Sequence, residues 1–542
     1  MQGFADFVDS LLGGAILVAL STAVGGVVWG LAVLRPGRRP LDPRFLRRAL
    51  TLVALGAAAL ALAQAALLGV KALLLADYLG PDAFARFTTT LQFRAGAARA
   101  SAAAVLAAAA LWLRARPSSG RRWAVVTLLA AVVTLTGAWL VHAAGRLEAR
   151  AALMTLTVLH QLAAAVWVGG LIQLVTLWPL ARREPGTIAW PALVARFSTV
   201  AMLALIALLA AGLPLVWLYV GSFEGFIGTG YGSLVLTKVG LMGVALLLAA
   251  LNLRAAREGR TAGSGTVRRR LPYVAEVEMI LLVSLLFVAA SLSSQPPPID
   301  GAGERATWAE LVEVFRPKWP ALRTPSVAAK VAAATQPVAF DAERTNLAYA
   351  WSNFSHNVPG LFLLGMSVLA LAAWKRPAWA RHWPLGLVGL AVFIFLRTSA
   401  SEGTWPFGPI GVLENALANT EALQHRIGAA LALALGLFEW RARTAPDARK
   451  LGYVFPVLAA AGGLLLLTHS HTPFEPKSDY LIQVTHTVMG ALAVLMACGR
   501  WLELRVGPPL GPVGGAASTV AMLLLALVLV FYREANVIVP LE

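Results

Sequence analysis

The chain has 542 residues, 58% of them hydrophobic and 13% charged, with a formal net charge of +18. Adding the 48 glycines takes the apolar share to about 67%, against roughly 45–50% in a soluble globular protein, in which about 25% is charged. This balance excludes a soluble domain, disorder, a coiled coil and a nucleic-acid binder, and calls for a polytopic membrane protein.

A membrane span needs about 20 apolar residues. Fourteen apolar runs predict helices near 13–34, 50–75, 95–113, 123–143, 151–180, 197–220, 232–253, 273–293, 358–374, 384–398, 421–440, 453–470, 480–500 and 515–532. The fold class is therefore an all-α transmembrane helix bundle. The first segment, MQGFADFVDSLL, lacks the basic start of a cleaved signal peptide, so the first helix is expected to be retained. With the N-terminus outside, 28 of the 45 Lys and Arg fall at inner helix ends and loops, but only 8 of the 27 acidic residues do. Every short inner loop is then basic, which predicts an N-out, C-out topology. The basic face would attract anionic membrane lipid rather than nucleic acid.

The loop 294–355 opens with SSQPPP and divides the chain into a first membrane half (1–298), an outer loop (299–350) and a second half (351–542). Trp308, Leu311, Val312 and Phe315 have the spacing of a short amphipathic helix on the outer membrane surface. Residues 402–419 carry too many Gly and Pro for a span and read as an interfacial cap. Cys498 is the single cysteine, so neither a disulfide nor a CxxC metal site can form. There is no GxxxxGK[ST] phosphate loop to suggest that ATP drives the protein.

Seven of the eight histidines fall at outer helix ends or loops, with His382 inside. His356, His425, His469, His471 and His486 come from four helix ends of the second half; Glu402, Glu414, Glu421 and Glu475 fall on the same side. Imidazole with carboxylate suits Zn, Cu, Fe or Ni. In His469-Ser470-His471 both rings point one way only if the backbone is extended, and Thr472-Pro473 supports leaving the helix there. The plainer accounts are a hydrogen-bonded polar cap or a proton path, a helix pair for Glu421 and His425, and an interfacial residue for His142. Lys238, Glu276 and Glu278 are ionisable groups inside spans and hence functional candidates. Their plain accounts are snorkelling for Lys238 and a salt bridge to Arg268–Arg270 for the two glutamates. Lys71 reads as snorkelling, Gly25-Gly26 and Gly169-Gly170 as sites of close helix packing, and Trp167 and Trp351 as interface anchors.

LHQLAAAVWVGGL (159–171), YGSLVLTKVGLMGVALLLAALN (231–252) and VAEVEMILLVSLLFVAASLSSQPPP (274–298) resemble, in order, three helices of the CopD family of copper resistance membrane proteins. The second half, with WSNFSHNVPGLF, FEWR, THTVMGALA, RWLELR and FYRE, resembles an extension of larger CopD-type proteins. The resemblance implies copper handling at His160, Lys238 and Glu278, a bacterial inner-membrane location and passage of copper from periplasm toward cytoplasm. It implies nothing about the second-half histidines.

Three functions fit these residues. The first is copper transport, with outer histidines capturing an ion from the periplasm or from a periplasmic copper-carrying protein. Nine methionines with no clustered motif argue against dedicated thioether sites for Cu(I). The second is a haem b electron-transfer protein, with His425 and His486 as the axial pair. The third is a copper-holding assembly factor that does not transport. No motif supports an enzyme.

Overall fold

The structure, a computed structural model, describes residues 2–35, 43–80, 82–183, 190–261, 265–301, 304–334, 346–374, 378–468 and 477–534. Helix dominates because a backbone in hydrocarbon must satisfy its own hydrogen bonds. α1 begins as Gln2–Leu20 and continues through π-helical turns at Ser21–Gly25 and Trp29–Leu34. The first half continues with α2 (Pro43–Leu79), α3 (Leu91–Ala115), α4 (Gly120–Gly137) and α5 (Arg150–Arg183). It closes with α6 (Trp190–Val220), α7 (Gly230–Thr261) and α8 (Gly265–Ser294). The second half holds α9 (Asn346–Ala373), α10 (Leu385–Glu402), α11 (Thr420–Thr444), α12 (Val454–Leu467), α13 (Lys477–Arg505) and α14 (Leu510–Val530).

Among the described residues 13 helices are long and apolar enough to cross a membrane. α11, the eleventh of the fourteen expected spans, stands outside that set, because Arg426 and Glu439 interrupt its apolar run. Its contacts supply what its composition lacks. At one end Glu402 of α10 accepts hydrogen bonds from Asn415 and Asn419, which lead into α11. At the other, Trp440 of α11 donates to His382 just before α10, at 2.9 Å. The two helices therefore run antiparallel over the same thickness.

The glycine pairs act as expected. A Cβ on Gly169 of α5 would strike the Ser21 carbonyl and lie 2.9 Å from the Gly25 Cα, so α1 and α5 cross backbone to backbone. Three other expectations need correction. Lys71 does not simply snorkel; it pairs with Asp9 at 2.7 Å. Glu276 is held by Arg505 of α13, at 2.8 and 2.5 Å, and by Trp501 at 2.8 Å; the side chains of Arg268–Arg270 lie outside the described residues. Trp167 is no interface anchor: it is 4% exposed and donates to Glu278. Trp351 is 5% exposed and lies under the Arg397 guanidinium.

The two halves share a core. Val494, Cys498, Leu502 and Val506 join the buried cluster built around Trp29, Leu50 and Leu281. The outer loop ties down the other end. Helix Trp308–Phe315 opens with a capping box between Thr307 and Glu310. Leu311 is buried with Ile227, Tyr480 and Val484, while Trp308 and Val312 stay exposed. The Tyr480 hydroxyl donates to the Ile227 carbonyl, and Lys477 pairs with Glu310 at 2.5 Å. In the segment 402–419, Trp405, Leu413 and Leu417 are exposed. Both segments present apolar side chains suited to a membrane interface.

Candidate metal-handling site

The second-half site is built by α9, α13 and the end of α14. The His356 ring stacks on Tyr532, with centroids 4.0 Å apart, and His486 meets it edge-on at 5.5 Å. Tyr532 and Ser352 both donate to one carboxylate oxygen of Glu534, at 2.6 and 2.5 Å. The Glu534 backbone N–H donates to Asn353, and Asn357 donates to the carbonyls of Leu529 and Tyr532. Arg533 returns a bond to Asn357 Oδ1 at 2.8 Å and donates to the Trp319 carbonyl. The segments WSNFSHN and FYRE thus form one network, which closes the seam between α9 and α14 and fixes the His356 ring.

His425 and Glu421 lie close enough to His356 to act on it electrostatically. Both begin α11 and are exposed. Glu414 is exposed on the short helix Val412–Ala418. His469, His471 and Glu475 lie outside the described residues. Among the described residues no group of three or more His, Cys, Asp or Glu side chains is arranged to hold a metal ion.

The histidine tautomers are set by the backbone. Nδ1 of His356, His425 and His486 lies 2.9, 2.8 and 3.0 Å from the carbonyls of Ser352, Glu421 and Ile482. A carbonyl only accepts, so Nδ1 carries the proton and Nε2 keeps the lone pair. This carbonyl bond to the opposite ring nitrogen is how ligating histidines are usually oriented.

The first-half candidates form a second group. His160 on α5 is bound in the same way, Nδ1 to the Leu208 carbonyl at 3.0 Å, and packs against Gly212. Lys238 is its electrostatic neighbour. Trp167 lies two turns along α5 and bonds Glu278 Oε1 at 3.3 Å; Asn252 bonds the same carboxylate. Glu278 is 5% exposed and is held by neutral donors. His142, beyond the end of α4, has its pKa lowered by burial; the nearby Asp300 opposes that effect and Arg146 adds to it.

Ser352, Tyr532 and Glu534 were not recognisable as site residues from spacing, since about 180 positions separate the two segments. The only signal was the distinctive character of WSNFSHN and FYRE themselves.

The sequence model of the family Copper resistance protein D matches residues 191–292. That span contains Lys238, Asn252 and Glu278 and begins after His160. Copper transport protein CutJ of Bacillus subtilis (strain 168) is 33% identical over 147 residues. The match covers 27% of this chain and 26% of CutJ, about a quarter of each. No solved structure matches the chain. Residues 191–292 thus match the CopD family of copper resistance membrane proteins, in the same region where the resemblance was read from the sequence.

Proposed function

We propose that the protein moves copper across the bacterial inner membrane from periplasm to cytoplasm, and so contributes to copper resistance or homeostasis. The observation that carries this reading is the facing pair His356 and His486, whose rings meet edge-on and whose Nδ1 atoms are each tied to a backbone carbonyl. With metal–imidazole bonds of about 2.0 Å, rings 5.5 Å apart are within reach of a single ion. His425, at the same helix-end level, and the pair His469/His471 would extend the capture surface toward a periplasmic copper-carrying protein. His160, Lys238 and Glu278 would give the first half its polar path, and anionic lipid would hold the basic loops at the inner face. An inside-negative potential favours inward movement of a cation by roughly 2.3 kcal/mol per charge per 100 mV. This is the role of a transporter rather than a catalyst.

The test is copper uptake into proteoliposomes, run beside an absorption spectrum of the purified protein. Wild type is expected to load copper, and His356→Ala/His486→Ala to fall to the protein-free background. Copper retained without uptake would replace transport with a copper-holding assembly role. A Soret band would assign the histidines to haem b and overturn the copper reading.

A further inference from the structure

A cavity of about 160 Å³ lies at the far end of α9, α13 and α14 from the histidine pair. Its wall includes Glu439, Arg443, Arg500, Glu503, Met496 and Met522. Glu439 is fully buried. Its Oε1 takes Arg443 Nε at 2.6 Å and Arg500 at 2.8 Å, and Arg500 also holds Glu503 at 2.6 Å. Two arginines are thus balanced by two carboxylates. Glu439 Oε2, however, is buried with no hydrogen-bond partner among the described residues, as is Arg500 Nε. An unpartnered buried carboxylate oxygen costs free energy that a bound ligand can offset.

The cavity and the histidine pair share helix faces. On α13, His486, Met489, Ala493, Met496 and Arg500 recur every three or four residues, which places them along one face. At 1.5 Å per residue the 14 positions span about 21 Å. On α14, Ser518 and Thr519 line the cavity, and Met522, Leu525 and Leu529 lead on to Tyr532. Met366, Met489 and Met522 are each less than 5% exposed. The low methionine total therefore misleads: four of the nine lie in this half, and two of those face the cavity.

We propose that this cavity binds a soft monovalent metal ion, Cu(I) as cargo, through the thioethers of Met496 and Met522 and the free Oε2 of Glu439. Thioethers select Cu(I), and the unpartnered carboxylate oxygen supplies a third donor atom. The site rests on the copper reading above and forms its inner station, about 21 Å along the same faces from the histidines.

Ag(I), a redox-stable stand-in for Cu(I), provides the test on the full-length protein in detergent. Met496→Leu/Met522→Leu nearly conserves volume and is expected to lose one equivalent of Ag(I). Cu(I)-loaded protein is expected to lose sulfur scattering in its X-ray absorption spectrum in the same variant, while His356→Ala/His486→Ala retains it. Glu439→Gln, a second variant, should weaken Ag(I) binding at least about tenfold. Unchanged stoichiometry, or no sulfur ligation in wild type, would overturn the site and leave a cavity filled by water. Ag(I) binding that persists when wild type takes up no copper would sink transport alone. Uptake that persists without the sulfur site would sink this proposal alone.

Discussion

At Gly169 a single methyl group would meet the Ser21 carbonyl and the Gly25 backbone, neither of which is a movable side-chain tip. Gly169→Ala is therefore expected to destabilise the α1–α5 crossing by about 1–3 kcal/mol. Gly69→Ala on α2 has open space around it and should be neutral or stabilising, because alanine is the better helix former by about 1 kcal/mol. Thermal unfolding of both variants in one detergent checks this pair; equal melting temperatures would remove the close crossing. These glycine roles were legible from sequence because only small residues let helices touch. Glu276 was legible as a costly intramembrane charge, but not its partner, since Arg505 lies 229 positions away. The Glu439–Arg443–Arg500–Glu503 network had the same character: FEWR and RWLELR stood out, and only packing joined them.

The short helix Trp308–Phe315 shows how an element is chosen locally and seated globally. Its spacing and its Thr307–Glu310 capping box lie within nine residues, so the sequence alone specified it. Its docking depends on Lys477. Burial tends to raise the Glu310 pKa, but the hydrogen bonds from Lys477 and Thr307 outweigh it and hold the carboxyl below the usual carboxylate range. A carboxyl depressed on folding contributes stability above its unfolded pKa, and that stability is lost as pH falls through the folded value. Amide exchange across 307–315 should therefore be slow near neutrality and speed up below the ordinary carboxylate pKa. In Glu310→Gln the acid-dependent step should vanish; a step of unchanged size would mean that another group anchors the helix. α11 illustrates the opposite case. Its charges lower its apolarity, and the bonds to Glu402 of α10 at one end and to His382 just before α10 at the other restore its place in the bundle.

For the whole molecule, the charge asymmetry of the loops predicts which end faces out, and labelling can read it. Cys498 is buried and provides a silent background. Trp319 is 91% exposed on the outer loop, and Arg121 is exposed in the first turn of α4. On intact cells a membrane-impermeant maleimide is expected to label Trp319→Cys and spare Arg121→Cys. The reverse pattern would invert the topology and place the His356–His486 pair in the cytoplasm.

The sequence by itself determined the class, the order of the helices and the loop helix, and it set the expected sidedness of the histidines. Each of these follows from local quantities: apolar run length, helical spacing and the sign of short loops. The tertiary structure decided which ends meet. It stacked His356 on Tyr532, aimed Glu534 at Ser352, gave Glu276 to Arg505 and drew Met496 and Met522 around one cavity. Those pairings join residues far apart in the chain through side-chain shape and hydrogen-bond geometry, and no local pattern encodes them.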